Sequence, residues 1–112
     1  MADLQQMVVD LRQEVEPYFQ TPSVRDSADF VLLEAAELKD ATMKAGCADM
    51  VYLRARPGKG WAGVEDEIGD VLLMVLTLAA QLGMDAERAL AKTCDKIRRR
   101  VADKMAREEG GA

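Results

Sequence analysis

The chain has 112 residues, enough for one domain, and is 49% hydrophobic, 31% charged and only 4% aromatic. Its formal net charge of −5 argues against a nucleic-acid partner. There is no His, and Cys47 and Cys94 lack metal-type spacing, so zinc chemistry is not expected and the thiols read as reduced residues of a cytoplasmic protein. The N-terminus MADLQQMVVD lacks the apolar run of a signal peptide. The apolar stretch Val71–Ala80 is far shorter than the ~20 residues that cross a bilayer, so no membrane partner is expected. Ala, Leu, Glu, Lys and Arg are abundant, which favours helices over strands.

Four helical segments follow in order. The first is predicted from about Asp3 to Phe19, where Leu4, Met7, Val8, Leu11 and Val15 recur at helical spacing. Thr21-Pro22-Ser23 breaks it. The second starts near Ser23, which has capping-box spacing to Asp26, and runs to a stop at Gly46. Phe30, Val31, Leu38 and Ala41 share one face of it. Glu34 falls in the middle of that face and Glu37 is adjacent. Residues 45–63 are the long irregular stretch, with Arg54, Arg56 and Lys59 among Pro57, Gly58, Gly60 and Gly63 and with room for a short helix over Cys47–Leu53. The third segment runs from about Trp61 to Leu82 and stops at Gly83. It opens with Glu65, Asp66, Glu67 and Asp70 and then turns apolar, broken by Thr77. Asp85 caps the fourth, whose stripe is Ala86, Leu90, Cys94, Ile97 and Val101 and whose other faces carry Lys92, Lys96, Arg98, Arg99 and Arg100. Residues 106–112 read as a disordered tail.

Chemistry concentrates in two acidic pairs, Glu34-x-x-Glu37 and Glu67-x-x-Asp70. A first-turn acid is ordinary, because it complements the helix dipole. Here, however, Glu67 and Asp70 sit about 60° apart and lean the way Val71 and Met74 lean, at ~100° per residue. Two helices side by side would bring four carboxylates together, which cannot all stay ionised without counter-charge. Hard oxygen ligands suit Mg²⁺ or Mn²⁺, and Mg²⁺ is usually shared with substrate phosphates. An acidic cradle with basic surroundings points to phosphoryl or nucleotidyl chemistry. A non-catalytic helical oligomer with a vestigial site is the alternative from another class.

The words LLEAAELKDA, EDEIGDVLLMVLTLAAQLGMD and ERALAKTCDKIRRRV, in that order, resemble the all-α nucleotide pyrophosphatases, the superfamily of MazG, dCTP pyrophosphatases, dimeric dUTPases and phosphoribosyl-ATP pyrophosphatase. The resemblance covers roughly Asp26 to Val101. It implies an all-α, four-helix MazG-like bundle completed by homo-oligomerisation, as a homodimer or homotetramer. It also implies hydrolysis of a nucleoside triphosphate to monophosphate and pyrophosphate, in housecleaning of pyrimidine or non-standard nucleotides. Glu34, Glu37, Glu67 and Asp70 would hold Mg²⁺, with Glu34 or Glu37 as general base. Lys92, Lys96 and Arg99 would contact phosphates, Arg54 or Arg56 would close over the triphosphate, and Trp61 would stack on the base. Two positions depart from the pattern: Leu33 stands where many members add a Glu, and a frequent Asn of the last helix falls at Cys94 or Lys96. Phosphoribosyl-ATP hydrolysis is a second enzymatic alternative, sharing the same cradle.

Overall fold

A computed structural model describes residues 2–51, 58 and 61–110 of the chain. Arg54, Arg56 and Lys59, expected to close over phosphates, lie outside the described residues. The described residues form four helices: α1 (Ala2–Val15), α2 (Val24–Lys44), α3 (Ala62–Gln81) and α4 (Ala86–Gly110).

The sequence signals govern most helix ends. Ser23 caps α2, its hydroxyl accepting from the Asp26 amide at 3.1 Å. Asp85 does the same for α4 through the Arg88 amide, also at 3.1 Å. Gly46 and Gly83 adopt φ of 72° and 65°, the left-handed conformation that glycine reaches without a Cβ penalty. Each closes a Schellman motif. Gly46 N and Cys47 N bond back to Met43 O and Thr42 O, while Gly83 N and Met84 N bond back to Ala80 O and Ala79 O.

Three boundaries differ from the sequence reading. α1 stops at Val15 instead of Phe19 because Pro17 has no amide hydrogen and its ring would strike the Gln13 carbonyl. The chain leaves by a tight turn in which Tyr18 N and Phe19 N both donate to Val15 O. After Gly46 residues 47–51 form a single turn, Met50 N to Cys47 O, and the rest of the expected short helix, Tyr52 and Leu53, lies outside the described residues. At the other end α4 stays helical through Gly110, so residues 106–110 continue a helix where composition suggested a disordered tail. Ala106, Arg107 and the two glutamates are compatible with it, and it is Gly110 that weakens it.

α2 and α3 form the main packed pair and run antiparallel, with Ser27 beside Gln81 at one end and Glu34 beside Asp70 further along. α1 lies antiparallel on another side of α3. Gln5 ties it to the α3–α4 corner, donating to Met84 O at 2.7 Å and accepting from the Ala86 amide at 3.0 Å. Val8 and Met74 are the buried apolar side chains, and Ser27 and Thr77 are more buried than either. Both hydroxyls are satisfied, Ser27 donating to Gln81 Oε1 and Thr77 to Leu73 O. Gln81 is held in turn by donating to Pro22 O at 2.6 Å.

α4 leaves α3 at 105° and has no buried side chain. The radius of gyration is accordingly 18.1 Å, against about 13 Å for a compact domain of this length. Among the described residues no single helix is long and apolar enough to cross a membrane.

Candidate metal centre

The antiparallel α2–α3 seam decides which acids meet. Glu34 lies two turns along α2 from the Ser27–Gln81 contact. Asp70 and Glu67 lie three and four turns back along α3 from the same contact. Carboxylate oxygens of Glu34, Glu67 and Asp70 all lie within 4.8 Å of one another. Glu34 and Glu67 are half-buried and Asp70 is exposed. Glu37, one turn beyond Glu34, is exposed and stands outside that set of three.

The cluster is electrostatically unfinished. Glu34 Oε2 and Glu67 Oε2 are buried with no hydrogen-bond partner. Buried unsatisfied oxygens are uncommon and costly in a folded chain. The Glu34 carboxyl is pushed above its ordinary value, first by burial, then by a hydrogen bond with Glu37 and by the charges of Glu37, Asp70 and Glu67. Glu67 is raised as well, again first by burial and then by Glu37, Asp70 and Asp66. No Lys or Arg among the described residues forms an ion pair with any of the three; the ion pairs seen are Lys44–Asp40 and Arg98–Asp95. The described residues thus gather negative charge in a half-dry seam and supply no cation to it.

That donor set fits a hard divalent cation. An octahedral ion with bonds near ~2.1 Å holds its ligand oxygens about 3–4 Å apart, a small side-chain rotation from the spacing seen here. All three donors are carboxylate oxygens, which favour Mg²⁺ or Mn²⁺ over zinc or copper.

The other expected site residues lie elsewhere. Lys92, Lys96 and Arg99 come together at i, i+4 and i+7 on one face of α4, where with Ala89, Thr93 and Asp95 they line an open depression of about 740 Å³. Within one chain α4 points away from the α2–α3 pair, so these cations do not surround the acidic cluster. Trp61 is half-buried at the start of α3, with its indole against Gly58: a methyl group on Gly58 would come within 2.9 Å of Nε1. It lines a cavity with Val64, Glu65 and Ile68, residues of a different side of α3 from Asp70. Sequence reasoning passed over the polar bracket between α1 and α3, formed by Arg12 and Thr77. The one signal for it was Thr77, the single polar residue inside the apolar run of α3.

Two antiparallel helices of an all-α chain thus present a carboxylate triad that could hold a divalent cation. Residues 25–105 match the MazG nucleotide pyrophosphohydrolase domain, and the chain belongs to that family. The matched span contains the whole acidic cluster and the basic face of α4. The family as a whole uses divalent metals and acts on nucleotides. No curated protein and no solved structure matches the chain.

Proposed function

We propose that the chain hydrolyses nucleoside triphosphates between the α- and β-phosphates, releasing the monophosphate and pyrophosphate, with Mg²⁺ as cofactor and Mn²⁺ as its substitute. Pyrimidine or non-standard deoxynucleotides are the substrates this reading favours, in a cytoplasmic housecleaning role. The observation that carries it is the carboxylate triad with two buried, unpartnered oxygens, in a chain that belongs to a nucleotide pyrophosphohydrolase family.

Glu34, Glu67 and Asp70 would hold the ion. When bound, Mg²⁺ supplies positive charge to phosphate oxygens and acidifies a coordinated water. Glu37, exposed beside the triad, or Glu34 would take a proton from the attacking water. Lys92, Lys96 and Arg99 hold phosphate oxygens through their shared face on α4.

Self-association completes this reading. The chain exposes 9173 Å², where a folded monomer of its mass exposes about 6100 Å². Leu90, Ile97, Val101 and Met105 form an apolar edge along α4, each about half exposed. A second copy covering that edge would bring a basic α4 face to an acidic seam, as homodimer or homotetramer. The test is pyrophosphate release from a panel of canonical and modified nucleoside triphosphates with Mg²⁺, beside a Glu67→Gln variant. Release that is lost in the variant supports the reading. A folded wild type that releases pyrophosphate from none of them overturns it, with phosphoribosyl-ATP the next substrate to try.

A further inference from the structure

Arg12 is a half-buried cation with no carboxylate partner among the described residues. The candidates on its own helix fail it: Val8, Val9 and Val15 occupy the i−4, i−3 and i+3 positions, and Glu16 at i+4 is engaged by the Thr21 amide and hydroxyl instead. No carboxylate of a described residue reaches it across the fold. Its guanidinium is nevertheless held in place. Nε donates to Thr77 Oγ1 at 3.1 Å, and Nη2 lies 3.6 Å from Met74 Sδ. Thr77 is itself locked by donating to Leu73 O, so the bracket is stiff.

One edge of the guanidinium is therefore taken by α3. The opposite edge, Nη1 with Nη2, keeps two parallel N–H groups with no acceptor among the described residues. Arg12 lines a cavity of about 240 Å³ between α1 and α3, walled by Val8, Val9 and Ala80. Of the other polar side chains around it, Thr21, Thr77 and Gln81 already have partners, and Gln13 is a neutral amide at its edge. Asp70, Met74, Thr77 and Gln81 follow one another at i, i+4, i+7 and i+11, one edge of α3. Thr77 lies about 10 Å along that edge from Asp70, at ~1.5 Å per residue. That is the reach of a nucleoside from its α-phosphate to its base.

The geometry points to this cavity as the base-binding subsite, with Arg12 the residue that sets base specificity. The inference rests on the nucleotide pyrophosphohydrolase reading above. A phosphate chain needs several cations, and this cavity has one and largely apolar walls. A flat ring with an acceptor edge matches both. Arginine offers donors only, so its free edge requires two adjacent acceptors. Cytosine presents O2 beside N3, and guanine presents O6 beside N7. Uracil and thymine interpose an N–H between their carbonyls, and adenine sets an amino donor beside each ring nitrogen of its polar edges. Cytosine and guanine nucleotides are thus selected over the other three.

The experiment has two arms. In the first, kcat/KM is measured for CTP, GTP, UTP and ATP and their deoxy forms, with wild type, Arg12→Gln and Arg12→Lys. The expected result is a preference for cytosine or guanine that falls by ~10- to 100-fold in Arg12→Gln, the discrimination that one bidentate base contact provides. Arg12→Lys, which keeps the charge but not the fork, should lose it too. A wild type without that preference, or variants in which all nucleotides slow equally, overturns the assignment and leaves the pyrophosphohydrolase reading intact, since a purely structural Arg12 would move every substrate alike. The second arm measures binding of CMP, GMP, UMP and AMP to wild type by calorimetry without metal, which needs neither turnover nor a folded variant. Selective binding of CMP or GMP supports the subsite even if no triphosphate is hydrolysed. Equal affinity or no binding for all four overturns it.

Discussion

α2 and α4 are helices of similar length, 21 and 25 residues, and both carry an apolar stripe, yet of the two it is α2 that packs extensively along another described helix. The stripe of α2 lies along α3 over several turns, and acids interrupting that stripe are carried into the seam with it. Glu34 and Glu67 become half-buried and raised above the ordinary carboxylate range for that reason. The stripe of α4 has no buried side chain among the described residues, and Arg98 pairs with Asp95 one turn away at 3.3 Å on its exposed surface. A charge acquires unusual chemistry where packing takes it out of water, and an amphipathic helix alone does not do that.

The largest break in this comparison should come from the seam itself. Glu67→Gln keeps the shape of the side chain but removes one anionic donor, and pyrophosphate release should fall by ~100-fold or more. The same assay on Glu65→Gln, an exposed first-turn acid, should show little change, and an equal loss there would refute the triad as the site.

Packing should separate the two helices next. Met74→Ala leaves a hole in α3 beneath Arg12 of α1, and should cost about 2–4 kcal/mol by urea titration. Ile97→Ala on the exposed edge of α4 should cost at most about 0.5 kcal/mol at dilution where chains are separate. If the cost of Ile97→Ala grows with protein concentration, the edge is covered by another copy; if it stays flat up to the highest concentration, the proposed assembly fails.

Titration gives a third contrast. The carboxyls of Glu34 and Glu67 are raised above their ordinary 4.5 in the folded chain, so the folded chain holds protons that the unfolded chain has already released. Their contribution to stability is present below about 4.5 and is lost as pH rises through the raised values. Without metal, the melting temperature should therefore decline with pH from just above 4.5 upward in this component. Millimolar Mg²⁺ should raise the melting temperature most near neutral pH and flatten the slope, because it binds the ionised seam. Glu34→Gln should shrink both effects. A slope that Mg²⁺ leaves untouched would separate the cluster from metal binding.

The smallest effect belongs to α4. Arg98→Ala removes an exposed ion pair and should change stability by no more than about 0.5 kcal/mol, less at high salt.

Local chemistry alone wrote much of this molecule. The recurrence of Leu4, Val8, Leu11 and Val15, the Ser23 and Asp85 caps and the glycines at 46 and 83 are short-range signals, and they placed four helices and most of their ends. Pro17 was equally local, and its missing amide ends α1 early. The two acidic pairs were visible by spacing for the same reason: residues three apart share a helix face wherever the helix goes.

Tertiary structure decided what spacing could not. The antiparallel offset of α2 against α3 brings Glu34, Glu67 and Asp70 within 4.8 Å and leaves Glu37 outside. The corner at Gly83–Asp85 turns α4 away by 105°, so Lys92, Lys96 and Arg99 do not reach the acids of their own chain. Arg12 meets Thr77 only because α1 passes antiparallel along α3, a contact across 65 residues. Periodicity says which side chains share a face. Which faces meet, and at what height, depends on how the helices cross and on where each can bury its stripe.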